Sequence, residues 1–317
     1  MIKWKNIIYI WKFYYFVIIS LSMKIKNFLK NYNFLADKTV LIIGADGGIG
    51  SEISKHFASL HCNLIFANRN EQKTKSLIDT ILKQYPNTHI EFVNLDLCNK
   101  QSVETFLKTI VSLHIDYFIH NAGVYNIKRQ VTDLGFDNIY QTNCLMPYYI
   151  TKKLLPYFKQ NNTKIIYMGS FAYNYSKINF DDIQFKQSTK INKIYGNSKR
   201  VAMYAFAELF KQNPDIKFSI AHPGLTLTKM TNHYHKSVNW LVRFALKIAC
   251  PPPQKAGLSV IYATNHNTND NSWIGPKIFN IWGYPKCGKF KMDSIESQKA
   301  FEFVEKQTND IEKQIAN

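Results

Sequence analysis

Residues 39–50 read Thr39-Val40-Leu41-Ile42-Ile43-Gly44-Ala45-Asp46-Gly47-Gly48-Ile49-Gly50, an unbroken aliphatic run that passes directly into a glycine-rich turn. A short run without polar alternation suits a strand covered on both faces, as in a parallel sheet. The glycines let the backbone turn sharply, and a helix opening from them presents free N–H groups and its positive dipole end to an anion such as a pyrophosphate. Two spacings fit the turn: G-x-x-x-G-x-G through Gly44, Gly48 and Gly50, or G-x-x-G-x-x-G through Gly44, Gly47 and Gly50.

Outward from this turn, short apolar runs alternate with longer amphipathic ones. Strands are predicted over Thr39 to Ile43, Asn63 to Ala67, Ile90 to Asn94, Tyr117 to His120, Lys164 to Met168 and Lys217 to Ala221, with a weaker one over Lys277 to Trp282. Helices are predicted over Ile49 to Ser59, Gln72 to Gln84, Lys100 to Leu113, Asn138 to Phe158 and Lys193 to Lys211. That alternation specifies an α/β, doubly wound Rossmann fold with a seven-stranded parallel sheet, whose ligands bind beyond the strand C-termini. No Gly/Ser linker or repeat divides it. The expected organisation is a basic, apolar N-terminal segment (1–35), a catalytic domain (36–290) and a charged helical C-terminal tail (291–317).

Composition narrows the partners. The 317 residues are 46% hydrophobic and 20% charged, which excludes collagenous and disordered classes. The formal charge of +18 raises nucleic acid as a partner, yet of 40 basic residues only Arg69, Arg129, Arg200 and Arg243 are arginines. Scattered lysine is a solvated surface and lacks the bidentate grip that phosphate and base recognition use, so no nucleic-acid partner is expected. The five cysteines are widely spaced with no C-x-x-C pair, which fits a reducing compartment rather than disulfides or zinc. His233 and His235 form H-x-H without an evident third ligand, and no metal is expected.

Six of the positive charges (Lys3, Lys5, Lys12, Lys24, Lys26 and Lys30) lie in the first 35 residues, which hold no acid. Ile7 to Leu21 is apolar except for Lys12, shorter than the ~20 residues of a spanning helix, and it carries no A-x-A cleavage signal. Apolar residues from Trp4 to Ile19 recur at helical spacing, so residues 1–22 are read as a candidate interfacial anchor, against a packed helix or an extension upstream of Met23.

At the end of the second strand stands Asn68-Arg69, where an NAD enzyme would carry a carboxylate for the ribose 2′-hydroxyl. An arginine there accommodates a 2′-phosphate, so NADP is favoured with NAD still admitted, while Asp46 opposes a phosphate if its side chain turns inward. Further on, Tyr195-Gly196-Asn197-Ser198-Lys199 puts a phenol and an ammonium one helical turn apart. A neighbouring ammonium favours the phenolate and draws a phenol pKa down from ~10 toward working pH.

Taken in order, the glycine turn, Asp96-Leu97, Asn121-Ala122-Gly123, Asn143, Ser170, Tyr195/Lys199 and His222-Pro223-Gly224 make the chain resemble the short-chain dehydrogenase/reductase family over roughly Lys38 to Phe279. The resemblance implies Tyr195 as general acid/base, Lys199 as the group that lowers its pKa and holds the nicotinamide ribose, and Ser170 as the hydroxyl that orients the substrate oxygen. It implies that Asn143 holds a water relaying protons to Lys199. It further implies cofactor contacts from Gly44, Gly48, Ile49 and Gly50, from Asn68 and Arg69, from Asp96 and Leu97, from Asn121, Ala122 and Gly123, and from Pro223, Gly224, Thr226 and Thr228.

Three positions depart from the family pattern: Ile43 where Thr is common, Gly169 where a Ser precedes Ser170, and Thr226 in place of Val. The sugar-nucleotide epimerase branch carries an acid after the second strand and a longer C-terminal domain, neither of which is present here. The stretch from Ser170 to Tyr195, with Arg69 and the N-terminal segment, is similar to retinol-dehydrogenase-type reductases. Phe171, Tyr173, Tyr175 and Phe180, with Trp240, Leu241 and Phe244, are expected to line a lipophilic pocket. Helices Asn138 to Phe158 and Lys193 to Lys211 are where such proteins pair, which makes a homo-oligomer a candidate state. The expectation is an NADP-dependent oxidoreductase that interconverts a carbonyl and a lipophilic alcohol, in the cytoplasm or on a membrane facing a reducing compartment. The alternative is a dinucleotide-binding sensor or scaffold without turnover.

Overall fold

The computed structural model describes residues 24–175, 177–184, 186–187, 190–226, 250–265 and 272–316. Eight strands form one sheet in the order β3-β2-β1-β4-β5-β6-β7-β8: β1 (Thr39–Ile43), β2 (Asn63–Asn68), β3 (Ile90–Asn94), β4 (Tyr117–His120), β5 (Lys164–Met168), β6 (Phe218–Ala221), β7 (Ser272–Ile278) and β8 (Trp282–Lys289). The first seven run parallel and β8 returns antiparallel on β7. The expected fold class is therefore observed, with one strand more than expected. Lys277 to Trp282, read above as a strand, is instead the end of β7, the turn and the first residue of β8. Period-two reading missed this because Ser272 to Pro276, the buried part of β7, shows no polar alternation that marks a half-exposed strand.

Strand β1 pairs with β2 on one side and β4 on the other, with Ile43 level with Ala67 and His120. The strand order reverses there, which opens a crevice at the carboxyl ends of these three strands. Helices α1 (Gly50–Ser59), α2 (Glu71–Gln84) and α6 (Leu258–Asn265) cover one face; α3 (Lys100–Ile110), α4 (Met146–Asn161) and α5 (Ile191–Lys211) cover the other. Asn70 and Asn99 cap α2 and α3, their side chains accepting from the amides of Lys73 and Ser102 at 2.8 Å.

The last helix, α7 (Ser294–Ala316), packs along α5. Ser297, Ala300, Val304, Thr308 and Ile311 recur every three or four residues and are fully buried. Polar contacts fix the dock: Glu305 accepts from Tyr148 at 2.6 Å and Lys152 at 2.8 Å, Ser297 donates to Glu208 at 2.7 Å, and Arg200 pairs with Glu296. The helices that the resemblance offers for pairing are thus covered along this face by the chain's own C-terminal helix.

Candidate active site

The glycine turn works by close approach. Gly44 has φ +81°, and a Cβ there would sit 2.7 Å from Ala122 Cα; on Gly50 it would sit 2.1 Å from the Gly44 carbonyl. These two glycines are required under either spacing. Asn121 Nδ2 donates to the Gly44 carbonyl at 2.7 Å and the Ala122 amide to Ile43 O at 2.7 Å, so β4 ties the turn where the family's threonine is replaced by Ile43. No side chain caps α1, whose first residues lie at the edge of a cleft of about 780 Å³.

Most expected cofactor residues line that cleft: Gly44, Gly48 and Ile49 on the turn, Asn68 and Arg69 after β2, Asp96 and Leu97 after β3, Asn121, Ala122 and Gly123 after β4, and Pro223 after β6. Gly50 sits beneath the turn, and Gly224, with φ +75°, and buried Thr226 continue the loop from Pro223. Thr228 lies outside the described residues, as do Trp240, Leu241, Phe244, His233, His235 and residues 1–23 of the N-terminal segment.

At the β2 end, Asn68 donates to Thr74 Oγ1 at 2.9 Å and keeps a buried Oδ1 without a partner. Arg69 is exposed beside it. Asp46 is engaged by Lys73 Nζ at 2.7 Å, a contact that the sequence reading did not foresee. Lys73 lies on the first turn of α2, three residues beyond the capping Asn70, and also borders the cleft. The carboxylate set against a phosphate is therefore paired, and the cleft corner carries two cations. Asp96 is used locally, its Oδ1 accepting from the Cys98 amide at 2.8 Å.

At the other end of the cleft, α5 begins at Ile191, two residues earlier than expected, so Tyr195 and Lys199 lie within a formed helix. Both line the cleft together with Met168 and Gly169 at the end of β5. The Ser170 hydroxyl lies beside the Tyr195 phenol and favours its ionised form. The Tyr125 ring meets Tyr195 edge-on at 5.1 Å and its hydroxyl bonds Asn192, bracing the phenol from the loop after β4. Asn143 lies in a π-helical turn, Gln141–Leu145, just before α4. Its side chain spans that loop, accepting from the Val124 amide at 2.8 Å and donating to Val124 O at 2.9 Å and Ser198 Oγ at 3.0 Å.

The widened turn also positions the Asn143 carbonyl, which accepts from the Tyr167 hydroxyl at 2.7 Å. Lys199 Nζ in turn donates to that hydroxyl at 3.2 Å and to Met168 O at 2.9 Å. A phenol from β5 thus bridges the Asn143 carbonyl and Lys199, the two residues that the resemblance connects through a water. Tyr167 carries no motif signal; only its place three residues before Ser170 on a buried strand could have marked it.

The electrostatics differ from expectation in one respect. Burial raises the Tyr195 phenol above its ordinary value, opposed by the Ser170 hydrogen bond, rather than Lys199 lowering it. The same burial drops Lys199 from 10.5 to about 7, with a small opposing effect from Cys144. A lysine that sheds its charge this readily is a weak electrostatic lever on its neighbour.

The aromatic flap is also corrected. Tyr173 is buried between Trp273 (5.3 Å) and Phe290 (5.0 Å), and Phe180 packs on Phe303 of α7. Phe171 joins the same core, and Tyr175 is exposed. The apolar residues bordering the cleft include instead Val124, Ile127, Val131 and Met168. The Gly169 departure has a packing reason: a Cβ there would lie 2.9 Å from Ile220 Cγ2 and 3.1 Å from Met203 Sδ. Among the described residues no group of three His, Cys, Asp or Glu could hold a metal ion.

A model of the family described as short chain dehydrogenase matches residues 38–239. Human polyprenol dehydrogenase is 26% identical over 67% of the chain and 66% of its own length. Human retinol dehydrogenase 13 is 30% identical over 62% of the chain and 61% of its own length. The chain thus spans just under two thirds of each of these relatives. L-sorbose reductase from Gluconobacter frateurii, solved with NADPH and L-sorbose, superposes with a TM-score of 0.58 at 16% identity, covering 74% of the chain and 92% of that structure, a likeness of fold.

Proposed function

The chain belongs to the short chain dehydrogenase family, and from that premise we propose that it is an NADP-dependent oxidoreductase interconverting a lipophilic aldehyde or ketone with the corresponding alcohol. The observation that carries this reading is the convergence, along one cleft, of the glycine turn with Tyr195 and Lys199, the Tyr195 phenol being one on which the Ser170 hydroxyl acts. The donor set fits the cofactor. Gly44 and Gly50 let the turn fold tightly against Ala122 and its own carbonyls at the edge of the cleft, and Asn68 Oδ1 is buried there without a partner. Arg69 and Lys73 would hold a 2′-phosphate: Lys73 offsets the Asp46 carboxylate, which leaves the Arg69 charge to favour the phosphate over a bare hydroxyl.

When bound, the nicotinamide supplies a hydride to the carbonyl carbon, or accepts one from the alcohol carbon. The protein's part is to hold the carbonyl oxygen and move one proton. Ser170 and Tyr195 would both donate to that oxygen, which concentrates hydrogen bonds where negative charge develops. A phenol raised by burial is protonated at neutral pH and is therefore set to give its proton during reduction. Lys199, near 7, is set to replace it, with Tyr167 and the Asn143 carbonyl holding the ammonium in place. Met168, whose carbonyl accepts from Lys199, and Val124, bonded to Asn143, are the apolar residues of the cleft nearest the reacting groups. The relatives named for polyprenol and retinol dehydrogenation support an apolar substrate.

The test is purified protein against a panel of aldehydes and ketones of increasing chain length, with NADPH and then NADH. The reading expects NADPH oxidation that strengthens with chain length; absence of turnover with every carbonyl, despite NADPH binding, would contradict it.

A further inference from the structure

We propose that Glu296, in the first turn of α7, is a positioning residue for Ser170: its carboxylate gathers Arg200 of α5, the turn that follows Ser170 and the chain beyond that turn into one clasp. The inference rests on the reading of Ser170 as the hydroxyl that holds the substrate oxygen, and it names what keeps that hydroxyl in place.

The contacts run in series from the last helix to the site. One Glu296 oxygen accepts from the Ile178 amide at 3.0 Å, and the other accepts from Arg200 through Nε at 3.1 Å and through Nη2. Arg200 Nη1 then donates to Tyr173 O at 3.1 Å. Tyr173 lies in the 3-10 turn Phe171–Tyr175, which closes directly on Ser170. The Tyr173 amide donates to Ser170 O and the Ala172 amide to Ser170 Oγ, both at 3.2 Å. A hydroxyl has one proton and two lone pairs, so the turn fixes Oγ through a lone pair and leaves its proton to be given. Arg200 follows Lys199 in the chain, and its guanidinium lies 4.8 Å from the centre of the Tyr204 ring one turn on. A planar guanidinium presents donors along several edges, so it can face a carboxylate and a carbonyl at once in a fixed relation.

Docking α7 does not by itself call for this arrangement. The helix is already held by its buried stripe, by Glu305 on Tyr148 and Lys152, and by Ser297 on Glu208. Those polar contacts join helix to helix. Glu296 reaches instead a backbone amide and, through Arg200, a backbone carbonyl, both in the irregular stretch between β5 and α5. Such groups need partners when they leave regular structure, and charged partners make the stronger bonds. The pair is withdrawn from solvent, with side-chain exposures of 15% for Arg200 and 19% for Glu296, so salt screens it little. Apolar contacts follow the same course: Tyr173 packs on Phe290, just ahead of α7, and Phe180 on Phe303 within it. The family match ends at residue 239, so the clasp ties a segment beyond the matched region to a site residue inside it.

The experiment compares Glu296→Gln with Glu305→Gln, which loosens the same helix away from the Ser170 turn. It reads hydrogen exchange, NADPH titration and turnover of NADPH with a reactive aldehyde. A glutamine side chain has one oxygen and cannot accept from both Ile178 and Arg200. Glu296→Gln should therefore speed exchange of the Ala172, Tyr173 and Ile178 amides several-fold. It should lower kcat by about tenfold or more, because small misplacements at a reacting centre are costly, and leave NADPH affinity within about twofold. In a Ser170→Ala background the same substitution should lower kcat no further. Arg200→Lys, which keeps the charge but not the second edge, should reproduce the effect, whereas Glu305→Gln should leave these amides and kcat as in the parent. The proposal is overturned if the three amides exchange at the parent rate in Glu296→Gln, or if Glu305→Gln speeds them equally. It is also overturned if the loss in kcat persists undiminished without the Ser170 hydroxyl. Exchange needs no substrate: a parent that reduced no carbonyl would contradict the proposed activity, and the clasp would then stand or fall on these amides.

Discussion

The Tyr167 hydroxyl lies 3.2 Å from Lys199 Nζ, accepting from the ammonium while it donates to the Asn143 carbonyl. A side chain thereby links the two residues that the sequence suggested would be joined by water. Both Tyr167 and Lys199 are buried, and the ammonium also lies 4.8 Å from the centre of the Tyr167 ring. Unlike water, this link cannot exchange with solvent, and one substitution removes it.

Tyr167→Phe keeps the ring and deletes the hydroxyl, so Lys199 loses one of its two oxygen acceptors. A hydrogen bond to a charged group contributes roughly 1.5–3 kcal/mol, and turnover should fall at least ~10-fold. NADPH affinity should stay within about twofold, since Lys199 keeps Met168 O. Steady-state kinetics beside fluorescence titration of NADPH separate the two. Equal loss in both would mean that Tyr167 acts through the cofactor site.

Lys73→Glu frees Asp46 and reverses a charge beside Arg69. The KM for NADPH should rise about tenfold or more, while that for NADH changes within about twofold. A parallel rise in both would place Lys73 away from the 2′-phosphate.

Gly169→Ser restores the family's usual residue. The new side chain meets Ile220 and Met203 within contact distance, so the change should destabilise the fold by about 2 kcal/mol despite its conservative character. Urea unfolding measures this; a neutral result would mean that Met203 moves aside.

His120 and His222 are both held at about 3 by burial. Their folded values lie below the ordinary 6.5, so the unfolded chain binds more protons between those limits. Their contribution is present above pH 6.5 and is lost as pH falls through 6.5 toward 3. Near pH 5 these two groups should take up about two protons on unfolding, and His120→Gln should take up about one fewer. The slope of unfolding free energy against pH reads this directly; an unchanged slope in the variant would contradict a neutral buried His120.

The parallel strands were legible because aliphatic runs such as Val40 to Ile43 have no other stable placement beside a glycine turn. The site motifs were legible because Gly44 and Ser170 follow strand ends, and because Tyr195 and Lys199 stand one turn apart within a single helix, where local pattern and chemistry coincide. Hidden from the sequence were contacts between distant segments that no spacing encodes: Lys73 on Asp46, Tyr167 on Lys199, and α7 on α4 and α5. Tyr173 and Phe180 misled because an aromatic near a catalytic motif reads the same whether it faces a cleft or a core. The balance of burial and charge at Tyr195 was likewise invisible, since desolvation is set by packing rather than by the i,i+4 relation.

The central claim is that the Tyr195 phenol moves the proton while the cleft binds the cofactor independently of it. The direct measurement is Tyr195→Phe, mixed rapidly with NADPH and a reactive aldehyde, following both NADPH binding and its oxidation. The account predicts NADPH affinity within about twofold of the parent and oxidation slowed by at least ~100-fold. Oxidation at the parent rate with intact binding would show that another group supplies the proton.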